Sequence, residues 1–394
     1  VEMGGEEKKL KKTNLLLSDK ELDNLTNGTY RYKCVNNSLL EPFMIPFWNA
    51  LVPFLPTTLH PNTLTLLGSL SILPSFFLFW WFAPHLVEGC PGWVCAVAVL
   101  GVFMFQTLDN LDGRQARRLK LSSPIGDWFD HCLDILSLYL LISQVGTPLF
   151  FGKTKYPLLA VLGQLAPAMT HYFTFWDRRF TGEIYLGSLS ITEGQFIIMA
   201  VITSGWYLGE DFWGTPFHFP SFFPSCLTSW EFIYSDIACF IAGGVFTITT
   251  PLEIMTRVAK HPQKLAPLST AFFRTFDIVV AYTGAVFWAA HSTQTAENTR
   301  MTMYTLGLCV TNCATAMLLS SITHGPFRGP FWAPLPWLGA LHCYLELNLI
   351  PEQWALYGTF VIALSIQLYM MYGSLSDMRG YFQFPLFHVR KNNN

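Results

Sequence analysis

Apolar residues fill this chain in long stretches divided by short polar segments, the pattern of helices that cross a bilayer rather than of helices with one wet face. Ten such stretches are placed near residues 62–83, 92–108, 125–147, 156–176, 193–208, 234–256, 268–290, 302–323, 333–350 and 355–373. The segment before them, FMIPFWNALVPFLPTT at 43–58, is apolar and aromatic but broken by Pro46, Pro53 and Pro56. It reads as an interfacial helix within 43–60. Residues 1–30 are polar and read as poorly ordered or interfacial. The expected fold is an all-α integral membrane bundle of about ten helices. Its expected parts are an N-terminal segment (1–42), the interfacial helix (43–60), a first transmembrane bundle (61–260), and further helices with a tail (261–394).

Composition agrees with that pattern. Hydrophobic residues make up 51% of the 394 and charged residues 13%, against about 25% charged in soluble domains. A formal net charge of -2 supplies no basic field for nucleic acid. Arg114, Arg117, Arg118 and Lys120 follow the second stretch, Arg178 and Arg179 the fourth, and Arg257, Lys260 and Lys264 the sixth. Arg328 follows the eighth, and Arg379, Arg390 and Lys391 the tenth, while 209–233 holds no Lys or Arg. The positive-inside rule then puts both termini in the cytoplasm, which would leave the sequons at Asn27 and Asn36 unused. The basic N-terminus has no apolar segment behind it and is not read as a signal peptide. No CxxC occurs among the nine cysteines, and Cys309 and Cys313, four apart on an apolar helix, read as packing.

The chemistry concentrates in QTLDNLDGRQARRLKLSSPIGDWFDHCLD at 106–134. Asp109 and Asp112 are three apart at the end of the second stretch, and Asp130 and Asp134 four apart near the start of the third. Each pair therefore shares a helix face. Ser122, Ser123 and Pro124 mark the turn of a hairpin that gathers all four acids. Four close carboxylates repel unless a hard divalent cation, Mg²⁺ or Mn²⁺, is shared among them, and two ions could clamp a pyrophosphate. Gly113, Ala116 and Gly126 leave room for a nucleotide, and Arg117 is placed for a phosphate oxygen. Asp127 and His131, four apart, form a carboxylate–imidazole pair of the kind that makes a general base. Asp134 is the rival base. Helix-end charges alone would explain any one of these residues, not the set.

At these positions the chain resembles the CDP-alcohol phosphotransferase family. Its pattern D-x2-D-G-x2-A-R-x8-G-x3-D-x3-D is met without a gap by Asp109, Asp112, Gly113, Ala116, Arg117, Gly126, Asp130 and Asp134. The resemblance implies a six-helix catalytic bundle, with Asp109, Asp112, Asp130 and Asp134 on two metal ions and Asp112, Gly113, Ala116, Arg117 and Gly126 lining the CDP site. The form DN-x-DG-x-QARR…SSP-x-G-x2-FDH-x2-D is similar to that of the eukaryotic choline/ethanolamine branch, which usually has Glu at the place of Asp127. HPNTLTLLG (60–68), YRYKCVNNSLLEPF (30–43), Trp176, Gly182, Gly187 and TEGQ (192–195) fit the same branch in order. That likeness implies CDP-choline or CDP-ethanolamine as donor and diacylglycerol as acceptor. It also implies a hydrogen bond from Asn62 to the nucleotide, a place for Glu193 in the chamber, a homodimer, and an endoplasmic reticulum or Golgi membrane. Trp176 could stack on a quaternary ammonium. Competing readings are another branch, such as phosphatidylinositol synthesis, and a transporter, which the membrane-edge acids and the lack of internal repeats oppose.

Overall fold

The computed structural model describes residues 15–26, 30, 32–187, 191–220, 222, 224, 230–262, 265, 268–327, 339, 340, 343, 349–383 and 386–389. Three helices meet where the sequence gathers its acids. The first, α3 (Pro61–Leu70), starts on a proline, whose missing N–H costs nothing in a first turn, and His60 caps it by accepting the Asn62 N–H on Nδ1 at 3.2 Å. (α1, β1 and α2, which precede it, are given below.) A short turn leads into α4 (Leu73–Phe82), so the first span is a broken rod. The next helix, α5 (Gly92–Leu119), crosses that break closely. A Cβ on Gly101 would stand 2.7 Å from the Ser71 carbonyl oxygen, and Ser71 Oγ donates to the Gly101 carbonyl at 2.9 Å. Only a glycine permits that approach.

The helical part of α5 extends eleven residues past the expected apolar stretch, through the polar motif, because no helix breaker stands before Lys120. Lys120 turns left-handed (φ 56°) and the Leu121 N–H bonds back to the Ala116 carbonyl at 2.9 Å. Ser123 then caps α6 (Pro124–Val145), its Oγ accepting the Gly126 N–H at 3.2 Å. The hairpin connector is thus only 120–123.

The remaining elements are α7 (Pro157–Thr181), β2 (Ile184–Leu186), and α8 (Ile191–Trp213), which breaks at Gly209 (φ 58°). A π turn joins α9 (Tyr234–Gly244) to α10 (Thr250–Lys260). They are followed by α11 (Leu268–His291), the short α12 (Gln294–Glu297), α13 (Thr299–Thr323) and α14 (Glu352–Phe382). Nine of the ten expected stretches coincide with these helices, and the ninth, 333–350, falls mostly outside the described residues. Among the described residues, five helical segments are long and apolar enough to cross a membrane: Pro61–Phe82, Gly92–Leu119, Tyr234–Lys260, Thr299–Thr323 and Glu352–Phe382. The helices α6, α7, α8 and α11 match them in length but carry ionisable residues such as Asp127, Asp177, Glu193 and Asp277. The protein is an all-α integral membrane bundle.

The helix α13 is buried along its whole length. Several of its polar groups find partners inside: Asn312 Nδ2 donates to the Ala363 carbonyl (3.0 Å), and Gln367 Nε2 donates to Thr315 Oγ1 (3.0 Å). One hydrophobic cluster joins α6 and α7 to α13 and α14. At the other extreme, α2 (Glu41–Leu51) and the turn after it leave Phe43 and Phe54 about four-fifths exposed while burying Trp48, as a helix lying in a membrane surface does.

The expectation of little order before residue 30 is corrected for residues 15–26. They hold α1 (Asp19–Asn24) and bury Leu17, Leu22 and Leu25, apolar positions whose burial repays the ordering. Asp377 of α14 accepts the backbone N–H of Leu15 (2.9 Å), Leu16 (2.7 Å) and Leu17 (2.8 Å). Further on, β1 (Cys34–Asn36) pairs in parallel with β2, Cys34 opposite Ile184. The N-terminal segment therefore straps one end of the bundle, from α14 to the β2 turn.

Candidate active site

The α5–α6 hairpin brings the predicted acids together. Asp109, Asp112 and Asp130 each offer a carboxylate oxygen within 4.8 Å of the others. Asp134 stands one turn beyond Asp130, outside that group of three, and within hydrogen-bonding reach of Asp109. From α3, Thr65 donates its hydroxyl to Asp112. Asp130 Oδ1 and Asp134 Oδ1 are buried with no hydrogen-bond partner among the described residues. Acceptor-only oxygens, buried and facing one another, fit a hard divalent cation and little else.

Small residues leave space beside this cluster. A Cβ on Gly126 would meet Asn62 Oδ1 at 3.6 Å, an ordinary contact, so the amide of Asn62 faces Gly126 between α3 and α6. The Arg117 guanidinium folds back toward Gly113, 3.5 Å from the place of a Cβ there, and is otherwise exposed. Ala116 is half-buried on the same helix. Neighbouring arginines are committed elsewhere: Arg114 bonds the Asn110 carbonyl (2.6 Å), and Arg118 bonds the Val52 and Leu55 carbonyls (2.8 and 3.0 Å). Arg118, together with Arg114 Nε on Asn49 Oδ1 (3.1 Å), anchors the interfacial helix to α5.

His131 Nδ1 lies 3.0 Å from the Asp127 carbonyl oxygen and 3.1 Å from Asp127 Oδ1. Both are acceptors, so Nδ1 carries the proton and Nε2 is left as the acceptor. Asp127 is itself held from outside its helix. Arg178 grips both carboxylate oxygens, Nη1 to Oδ1 at 3.2 Å, and Tyr30 of the N-terminal strap donates to Oδ2 at 3.0 Å. Burial raises the Tyr30 phenol well above its ordinary range, with the Asp127 charge adding to it, so Tyr30 remains the donor. Arg178, read from the sequence as a loop charge, is instead buried inside α7. Arg257 of α10 is likewise spent, on Asp177 and Glu183.

Two expected site residues are not brought into this group. Trp176 is fully buried between Phe173 and Phe180, ring centroids 5.9 and 5.2 Å away, with no open face for an ammonium group. Glu193 Oε1 accepts from Ser38 Oγ (2.6 Å) and the Leu40 N–H (2.8 Å), tying the strap to α8. Other intramembrane acids have structural partners: Asp236 accepts the Ile233 N–H at 2.9 Å, and Glu253 the Tyr185 hydroxyl at 2.8 Å. Glu346 and His342 lie outside the described residues, and His324 ends α13 in a left-handed conformation.

Residues 58–208 match the family model described as CDP-alcohol phosphatidyltransferase. Residues 58–208 thus match a CDP-alcohol phosphotransferase domain. The matched range runs from the N-cap region of α3 into α8 and contains every site residue above except Tyr30. An uncharacterized CDP-alcohol phosphatidyltransferase class-I family protein 3 of Dictyostelium discoideum is 26% identical over 332 residues, 80% of this chain and 82% of that protein. Cholinephosphotransferase 1 of Danio rerio is 33% identical over 186 residues, 47% of this chain and 48% of its own. Choline/ethanolaminephosphotransferase 1 of Saccharomyces cerevisiae is 30% identical over 204 residues, half of each chain. The matched region is thus similar to a transferase family, and the three-aspartate cluster within it suits the divalent-metal dependence of that family.

Proposed function

We propose that this protein transfers phosphocholine or phosphoethanolamine from the CDP-alcohol to diacylglycerol, releasing CMP. The observation that carries this reading is the placing of His131, with its free Nε2, beside the aspartate cluster, with Gly113 and Gly126 next to it. Asp109, Asp112, Asp130 and Asp134 would hold two divalent ions, Mg²⁺ or Mn²⁺, which when bound supply charge neutralisation at the pyrophosphate. Asn62, Gly113, Ala116, Arg117 and Gly126 receive the nucleotide and its phosphates. His131 Nε2 takes the proton of the lipid hydroxyl, and Asp127 stabilises the resulting imidazolium. The hydroxyl oxygen bonds to the β-phosphorus as the bond to the bridging oxygen breaks, and CMP leaves. Asp134 sits against Asp109, so the base role falls to His131 and the metal role to Asp134. The site faces the cytoplasm, and the two relatives named for choline or ethanolamine transfer favour those head groups.

The test is direct. Purified protein given diacylglycerol, Mg²⁺ or Mn²⁺ and each CDP-alcohol in turn should release CMP. Asp112→Ala should lower turnover by on the order of a hundredfold or more. Ordinary turnover in that variant sinks the mechanism.

A further inference from the structure

A second histidine lies behind the first. An apolar cavity of about 570 Å³ sits among α6, α7, α8, α9 and α10. Ile197 of α8 and Ile241 of α9 line it and are 49% and 58% exposed, so it opens between those helices on the hydrocarbon side of the bundle. His171 of α7 also lines it. Its Nδ1 lies 3.2 Å from the Pro167 carbonyl, an acceptor, so Nδ1 carries the proton. Its Nε2 is an acceptor, buried and without a partner among the described residues. Buried polar atoms in folded proteins are seldom left unpaired without a ligand, water or function to account for them. Phe175, four residues on, packs against both histidines, its ring centroid 6.0 Å from that of His171 and 5.7 Å from that of His131. Phe175 thus stands between the cavity histidine and the proposed base.

We propose that His171 Nε2 accepts the hydroxyl hydrogen of a neutral lipid alcohol lodged in this cavity, an assignment that rests on the acceptor substrate being a lipid. In hydrocarbon a lone pair can be satisfied only by a donor. A hydroxyl supplies one, whereas an ester, a carboxylate or a fully acylated glycerol does not. His171 is a binding contact made before the reaction: it selects lipids with a free hydroxyl and holds that end in the cavity until the hydroxyl turns to His131.

Steady-state kinetics of His171→Phe should show the KM for diacylglycerol raised about tenfold, the worth of one good hydrogen bond, with no rise in the KM for the CDP-alcohol. His171→Gln, which keeps an acceptor, should recover most of that loss. In parallel, thermal unfolding of the wild-type protein in detergent is followed with dioleoylglycerol or with its 3-O-acetyl ester. The alcohol should raise the melting temperature and the ester should not. An unchanged lipid KM in His171→Phe, or equal stabilisation by the ester, overturns the assignment. If His171→Phe fails to fold, the same lipid pair is compared in His131→Ala, where His171 alone can receive the hydroxyl: a retained preference for the alcohol supports the assignment, and its loss overturns it. A wild-type protein that releases no CMP defeats the proposed transfer reaction, while the thermal comparison still reads the hydroxyl contact.

Discussion

Asp127 answers to three partners from three parts of the chain: His131 on its own helix, Arg178 of α7 and Tyr30 of the strap. Its pairing with His131 was legible, because four residues on a helix are one turn. The Arg178 and Tyr30 contacts, 51 and 97 residues distant, have no local signature, and the sequence counted Arg178 among the loop charges. The aspartate side chain is one methylene shorter than the glutamate usual in the choline/ethanolamine branch, yet the Asp127 carbonyl shares the imidazole proton and the reach suffices. Removing Arg178 leaves a buried carboxylate without its cation, a loss on the order of 3–5 kcal/mol. Arg178→Met should therefore melt well below wild type in detergent. The double variant Asp127→Asn with Arg178→Met removes both charges and should regain most of that stability, while CMP release stays low because His131 has lost its carboxylate. A double variant no more stable than Arg178→Met would show that the ion pair is not what Arg178 provides.

At the scale of elements, the α5–α6 hairpin was readable because its stop and start signals are local: a basic turn, then Ser-Ser-Pro. The reach of α5 past the apolar stretch was missed because hydropathy falls at the motif while helix geometry does not. The strap was missed for another reason. Its order comes from Asp377, more than 350 residues away, and from a three-residue strand that has no strength alone. Three backbone N–H groups on one carboxylate make Asp377 the clamp of that element. In Asp377→Ala the amides of Leu16 and Leu17 should exchange with solvent roughly thirtyfold faster, matching a loss of about 2 kcal/mol. Hydrogen exchange read by mass spectrometry checks this, and unchanged protection would place the clamp elsewhere. The strap also delivers Tyr30 to Asp127, so the same variant should lower turnover without altering the aspartate cluster.

For the whole molecule, loop charge predicted the sidedness, but two of its witnesses are spent internally, Arg178 on Asp127 and Arg257 on Asp177 and Glu183. The expectation then rests on the residues that remain. Lys120 and Lys260 are exposed at the aspartate end. At the far end Lys153 and Lys155 are each paired, with Glu210 and Glu231, and Arg300 is buried against the Ala83 carbonyl. Among the described residues, the unneutralised positive charge therefore lies at the end that holds the strap, the acids and the close of α14, which suits a cytoplasmic site. Sealed microsomes with the cytoplasmic face outward provide the test. In a Cys34→Ser background, a membrane-impermeant maleimide should label Lys120→Cys before detergent is added and Glu231→Cys only after. The opposite order would put the aspartates on the lumenal side and overturn the cytoplasmic placement.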